Sequence, residues 1–202
     1  MKLYFSPGAC SLATHIVATE AGVAVSLEKV DTRRHVTADG VDYYTINPKG
    51  QVPLLQLEDG STLSEGSVIA QYLADQAQAR SLMPAPGTIA RYRVMEWQNY
   101  IASELHKGYS PMFSAKFDAN AKATFAGLLR QKYEWINAQL AGKNYLTGDE
   151  FTAADAYLFT VTNWSKHVKL DLSDLANVQA FLARVAARPA VLKAMQEEGL
   201  LA

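Results

Sequence analysis

Pro84, Pro86 and Gly87 fall within one short run, Leu82-Met83-Pro84-Ala85-Pro86-Gly87, that neither a helix nor a strand crosses easily. The residues on its two sides follow different patterns. Before it, Lys2 to Ser6 is a β-rich run stopped by Pro7-Gly8. Leu12, Ile16 and Val17 then recur at helical spacing between Cys10 and Ala21, with Gly22 as the stop. Val25 and Leu27 begin a second strand, and Val52 to Leu57 reads as a third that turns at Asp59-Gly60 into a short fourth. Beyond Ser64, Val68, Ile69, Tyr72 and Leu73 share a helical face. From about Thr88 every segment is helical in pattern, punctuated by Gly108, Pro111, Gly142, Gly148 and Pro189. These patterns predict an α/β domain over 1–80, a linker over 81–87 and an all-α domain over 88–202.

Charge narrows the partners. The 19 basic and 20 acidic side chains leave a formal charge of −1, and the densest basic run, Lys29 to His35, is interrupted by Asp31. A surface for nucleic acid or an anionic membrane needs far more positive charge, so neither partner is expected. No stretch approaches the roughly 20 apolar residues of a membrane span. The opening Met1-Lys2-Leu3-Tyr4-Phe5-Ser6-Pro7 is too short an apolar run for a signal peptide and is broken by proline. Cys10 is the single cysteine, which forms no internal disulfide and points to a reducing cytoplasm. The four histidines and Cys10 show none of the pair spacings of metal sites, so no metal is expected.

Several positions carry the residue types that chemistry needs. Cys10 follows a strand and a Pro-Gly turn at a helix start, where open N–H groups and the helix dipole favour an anion. A thiol there is a nucleophile, and equally a lone cysteine is a small buried hydrophobe. Pro53 in Gln51-Val52-Pro53 reads either as an edge-strand proline or as a cis one. In Ser64-Glu65-Gly66-Ser67 the N–H groups of Gly66 and Ser67 suit a carboxylate and Glu65 suits an ammonium, together the head of an amino acid. The same run is also a plain helix cap with an acidic first turn. Around Trp97, the residues Asn99, Ser103 and His106 fall within about 60° of one helical face, with Val94, Trp97, Ile101 and Leu105 opposite. That polar stripe is either solvated surface or a cleft wall in which His106 and Lys107 favour an anion. Thr152-Ala153-Ala154-Asp155 has the form of a capping box, with Phe151 placed to staple onto Ala156. Tyr109, Met112, Phe113, Tyr157 and Trp164 line either an apolar pocket or a core.

Taken in order, these motifs resemble the glutathione transferases, and the bacterial beta class in particular. The resemblance rests on Met1-Lys2-Leu3-Tyr4, Pro7-Gly8-Ala9-Cys10-Ser11-Leu12, Asn47-Pro48-Lys49-Gly50-Gln51-Val52-Pro53 and Glu65-Gly66. In the helical half it rests on Glu96-Trp97, Asn99-Tyr100-Ile101, Ser103-Glu104-Leu105-His106-Lys107-Gly108 and Phe151-Thr152-Ala153-Ala154-Asp155-Ala156-Tyr157-Leu158-Phe159. It implies a thioredoxin-like N-terminal domain, an all-α C-terminal domain, and a homodimer with glutathione as cosubstrate bound between the domains. Pro53 is then cis, and the Val52 backbone pairs with the cysteinyl part of glutathione like an added strand. Gln51 and Pro53 flank that contact, and Glu65, Gly66 and Ser67 grip the γ-glutamyl end. Asn99 reaches a glutathione on the other subunit. Cys10 lies beside the glutathione sulfur with Ser11 and His106, and Ser103, Glu104, Leu105, His106 and Lys107 wall the electrophile pocket.

One position departs from the class. His35 stands where the class usually carries a lysine that contacts glutathione. Histidine is shorter and mostly neutral at pH 7, so weaker binding that improves from about pH 8 to 6 is expected. Arg33 and Arg34 are alternative donors. The expected reaction is conjugation of the glutathione thiolate to small hydrophobic electrophiles. Two other readings stand beside it: a glutathione-dependent thiol–disulfide oxidoreductase using Cys10 through a mixed disulfide, and a non-catalytic binder of hydrophobic ligands.

Overall fold

Strand β1 (Lys2–Phe5) shows why the first eighty residues fold as a layered α/β unit. Successive side chains of a strand point to opposite faces. Leu3 accordingly packs with Ala18, Leu55, Ile69 and Leu73 in one cluster, while Tyr4 packs with Val30, Tyr43 and Leu54 in another. β1 runs parallel to β2 (Ser26–Asp31) with Leu3 opposite Leu27, and antiparallel to β4 (Leu54–Gln56) with Leu3 opposite Leu55. With β3 (Val36–Thr37) and β5 (Thr62–Ser64) the sheet has five strands in the order β3-β2-β1-β4-β5. The third strand in that chain order escaped the sequence pattern because it is two residues long and too short to alternate. Helices α1 (Ser11–Glu20) and α2 (Gly66–Gln76) supply Ala18, Ile69 and Leu73 to the first cluster. The expected α2 face is corrected at Val68, which is 46% exposed; the buried seam is Ile69, Ala70, Leu73 and Ala74.

The structure, a computed structural model, describes Met1 to Leu201 and divides into two compact units. The first joins Met1–Pro84 to the segment from Arg188 onward, and the second is Ala85–Ala187. The expected helical domain over 88–202 therefore differs at its end, because α8 (Pro189–Glu197) packs against α1. Its contacts are polar and specific. The Arg188 guanidinium holds Glu20 at 2.6 and 2.9 Å, and the buried His15 ring faces Glu197 at 2.9 Å and Glu198 at 3.1 Å. The second oxygen of Glu198 accepts the Gly8 N–H at 2.9 Å, so the chain end pins the Pro7-Gly8 turn that leads to Cys10.

The second unit is helical. A continuous run forms α3 (Ile89–Tyr100), a π-helical segment (Ile101–His106) and α4 (Lys107–Phe113). Gly108 and Pro111, read as punctuation, lie inside α4. The expected apolar seam is also corrected. Val94, Gln98, Ile101 and Leu105 are buried, whereas Trp97 is only partly covered. Next come α5 (Ala119–Gln139), capped by Asp118 onto the Ala121 N–H at 2.8 Å, α6 (Ala153–Asn163) and α7 (Ala176–Ala186). The capping box at Thr152 and Asp155 is present, and α6 is buried from Ala153 to Thr162. No helix among the described residues is long and apolar enough to cross a membrane.

Candidate functional site

In the first unit three chain segments converge on Gly66. A Cβ built there would lie 3.4 Å from Pro53 Cγ and 3.5 Å from Thr14 Oγ1, so Pro53 and Thr14 pack against the start of α2 at ordinary contact distance. Cys10 is the N-cap of α1, partly buried, and its Sγ donates to the Val52 carbonyl at 3.2 Å. The Val52–Pro53 peptide is cis. The Val52 N–H has no hydrogen-bond partner among the described residues. Ser11, by contrast, is fully buried, and its hydroxyl is tied to the backbone of Ser6 at 3.2 and 3.3 Å. Its hydroxyl therefore holds the turn before Cys10.

The loop into Val52 is held from beneath. Buried Asn47 donates to the Gln51 carbonyl at 2.7 Å, and the Tyr43 hydroxyl donates to the same oxygen at 3.0 Å. Burial pushes the Tyr43 phenol up to about 12, so it remains a donor at any physiological pH. Gly50 is required: its φ is +63°, and a Cβ would sit 2.6 Å from Tyr44 and 2.9 Å from His35. The His35 ring stacks on Tyr44, centroids 4.5 Å apart, and its Nδ1 lies 3.2 Å from the Gly50 carbonyl. Arg33 and Arg34 are exposed, with their backbone N–H groups capped by Asp31. Glu65 takes φ +69° to turn into α2, which leaves the Gly66 and Ser67 N–H groups without hydrogen-bond partners among the described residues. Its carboxylate is held by Lys49 Nζ at 2.7 Å, which also reaches Ser64 at 2.8 Å. Sequence reasoning missed Lys49, since nothing in a sixteen-residue separation links the two.

In the second unit the predicted residues have unequal standing. Asn99, Ser103 and Lys107 are exposed, and the Ser103 hydroxyl bonds the Asn99 carbonyl at 3.1 Å. Leu105 is fully buried, so its side chain faces the core. Glu104 pairs with Lys132 at 2.8 Å, which holds its carboxyl below the usual range. His106 does not share the Asn99–Ser103 face. The π-helical turn breaks the constant angular step of an α-helix, and the His106 Nδ1 meets the Tyr157 hydroxyl at 2.7 Å. The His106 ring packs edge-on to Trp164 at 4.9 Å, and Trp164 meets Tyr109 at 5.6 Å and Phe113 at 6.0 Å. Tyr109 in turn exchanges a hydroxyl bond with Tyr133 at 2.9 Å. The aromatic set is therefore partly core, as at Tyr109 and Tyr157, and partly surface, as at Phe113, which is 53% exposed.

Comparison with known proteins places these features in a family. Family models described as the glutathione S-transferase N-terminal and C-terminal domains match residues 7–76 and 100–189. Glutathione S-transferase GstA of Escherichia coli O157:H7 is 46% identical over 200 residues, covering 99% of this chain and all of the relative. The ternary complex of BphK, a bacterial glutathione transferase, superposes with a TM-score of 0.96 at 46% identity, covering 99% of this chain and 100% of that one. The bacterial beta-class enzyme of Sphingomonas chungbukensis matches with a TM-score of 0.95 at 39% identity over the full length of both chains.

Proposed function

This chain belongs to the glutathione S-transferases, in their bacterial beta class, and from that premise we propose which of its residues do the work. It is an enzyme that transfers glutathione. The observation that carries the residue assignment is the set of open backbone donors around Gly66. The unpaired N–H of Val52 suits the cysteinyl carbonyl of glutathione, paired as an added strand. The open N–H groups of Gly66 and Ser67, at the start of a long helix, suit the γ-glutamyl carboxylate. Glu65 suits the ammonium beside it, which takes the place of Lys49 on the carboxylate.

Cys10, half-buried beside Val52, is assigned to the neighbourhood of the glutathione sulfur, and Ser11 to holding the turn that presents it. His106, oriented by Tyr157, and the flanking Ser103, Glu104 and Lys107 are assigned to the electrophile, with Leu105 supporting them from the core. The electrophile is small and apolar, in keeping with the Phe113 and Trp164 rings. A homodimer with Asn99 directed to the partner's glutathione completes the reading. Exposed apolar residues, Val68 on α2 and separately Ile89 and Tyr92 of the second unit, support a partner chain.

In the reaction with an aryl halide, the glutathione sulfur forms a bond to the ring carbon, and the halide departs with the bonding pair. The thiol proton is released to solvent. Lowering a thiol's pKa by two units represents about 2.7 kcal/mol of preferential anion stabilisation. The test is glutathione conjugation of an activated aryl halide by wild type and Cys10→Ala across several pH values. Turnover in both is expected, with glutathione-linked disulfide reduction lost in the variant. Conjugation lost in Cys10→Ala alone makes Cys10 the chemical centre and overturns the assignment.

A further inference from the structure

A π-helical turn is rare, and where one interrupts an α-helix it often marks a functional site. In this chain it spans Ile101 to His106, and the Lys107 N–H reaches back to the Ala102 carbonyl. The turn decides where His106 points, because it offsets that residue from a constant α-helical step. The ring then meets the Tyr157 hydroxyl at 2.7 Å and packs edge-on to Trp164 at 4.9 Å. The segment Ile101-Ala102-Ser103-Glu104-Leu105-His106 contains neither proline nor glycine, so its own residues give no reason to leave the α form.

A side chain of α5 supplies one. Lys132 Nζ donates to the Glu104 carbonyl at 3.0 Å and pairs with the Glu104 carboxylate at 2.8 Å. A donor placed on a main-chain carbonyl inside a helix competes with the ladder for that oxygen, and such intrusions displace the ladder. The reach comes from a close approach of the two helices. A Cβ on Gly108 would lie 3.1 Å from Leu129 Cδ1, tighter than side chains usually pack. Lys132 follows Leu129 on the same face of α5, and Glu104 precedes Gly108, so the antiparallel pair brings the two together. We propose that Lys132 holds the π-helical register that aims His106, and is thereby a positioning residue for the transferase reaction. Its part in catalysis rests on the assignment of His106 to the electrophile.

The experiment compares full-length wild type, Lys132→Met and Lys132→Arg by two readouts. One is steady-state conjugation of an activated aryl halide. The other is the His106 Cε1–H signal in proton–carbon NMR spectra, assigned by its absence in His106→Asn. Lys132→Met should lower kcat about tenfold and leave the glutathione KM within about twofold, since the misplaced group serves the electrophile. Lys132→Arg keeps a cationic donor for both Glu104 oxygens and should recover kcat to within about threefold of wild type. The His106 signal, displaced by the Trp164 ring current, should move in Lys132→Met and return in Lys132→Arg. Far-UV circular dichroism checks the fold; should Lys132→Met unfold, Lys132→Gln replaces it with the same expectations. A signal that stays in place in the folded variant overturns the proposal by itself. A signal that moves while kcat holds in both Lys132→Met and His106→Asn overturns it from the other side, by removing His106 from the reaction.

Discussion

The proposed glutathione residues of the first unit and the proposed electrophile residues of the second are made of different material. Around Gly66 the donors are backbone N–H groups of Val52, Gly66 and Ser67, left open by turns and a helix start. On the π-helical segment they are side chains, aimed by partners distant in sequence. Tyr157 lies 51 residues from His106, and Lys132 lies 28 residues from Glu104. A backbone site tolerates side-chain change but not a change of local conformation. A side-chain site depends on the packing of whole helices, and a single substitution retunes it. The first arrangement suits a fixed cosubstrate and the second suits a variable one.

The difference is tested most severely by removing the anchor of α6, the helix that carries Tyr157. Asp155 is fully buried and accepts from the Leu146 N–H, the Thr152 N–H and the Thr152 hydroxyl at 2.7–2.8 Å. Asp155→Ala leaves three buried donors unmet and should cost about 3 kcal/mol or more, read as a drop in the urea midpoint. The same carboxyl gives a pH signature. Burial pushes it from 3.8 up to about 6, against the pull of its three donors. A group raised on folding contributes stability that is complete below the unfolded value and is lost as pH rises through the folded one. Wild type should therefore lose roughly 2 kcal/mol between pH 4 and pH 7, a slope that Asp155→Asn flattens. Parallel slopes in the two proteins would refute the link.

The backbone site makes a different demand. Glu65 is the one charged side chain assigned to the γ-glutamyl head, and it is largely exposed, so its loss leaves folding intact. Glu65→Gln should raise the glutathione Kd by about 10- to 100-fold, the 1.5–3 kcal/mol of a hydrogen bond to a charged group. The kcat at saturating glutathione should stay within about twofold. Calorimetric titration with glutathione measures the first and steady-state kinetics the second. An unchanged Kd would remove Glu65 from the ligand.

The same contrast explains what could be read from the sequence. The turns, the capping box at Thr152 and Asp155, and the β-rich run before Pro7-Gly8 are local, so their residue types stand next to one another in the chain. Gly50 before Gln51 marks a close approach that a single residue type satisfies. By contrast β3 was missed because pairing with Val30 and Asp31, not composition, makes it a strand. The α8–α1 packing was missed because a pair such as Arg188 and Glu20 leaves no local trace. The His106 direction was misread because a helical wheel assumes a constant step, and the six residues Ile101–His106 do not keep it.

A smaller effect sharpens the comparison within the second unit. The Tyr157 hydroxyl is a hydrogen-bond partner of His106, 2.7 Å away. Tyr157→Phe keeps the ring, its edge-on contact with His106 and its burial, and removes one hydrogen bond worth about 1 kcal/mol. A positioning role predicts about a fivefold fall in kcat toward an aryl halide, with the glutathione KM unchanged. A purely structural role predicts a lower unfolding midpoint with kcat intact.

The smallest effect belongs to the one position where the first unit relies on a side chain in place of the class's usual lysine. A carbonyl only accepts, so the His35 nitrogen facing Gly50 carries the proton, and the neutral ring turns the Nε2 lone pair outward. That lone pair repels a carboxylate; only the doubly protonated ring donates to one. His35→Lys, which supplies a longer cationic donor, should therefore bind glutathione about threefold more tightly, read by calorimetric titration. The change is modest because the Arg33 and Arg34 guanidinium groups are exposed beside it. A Kd unchanged in His35→Lys would assign the contact to the arginines, and Arg33→Ala with Arg34→Ala would then show which of them carries it.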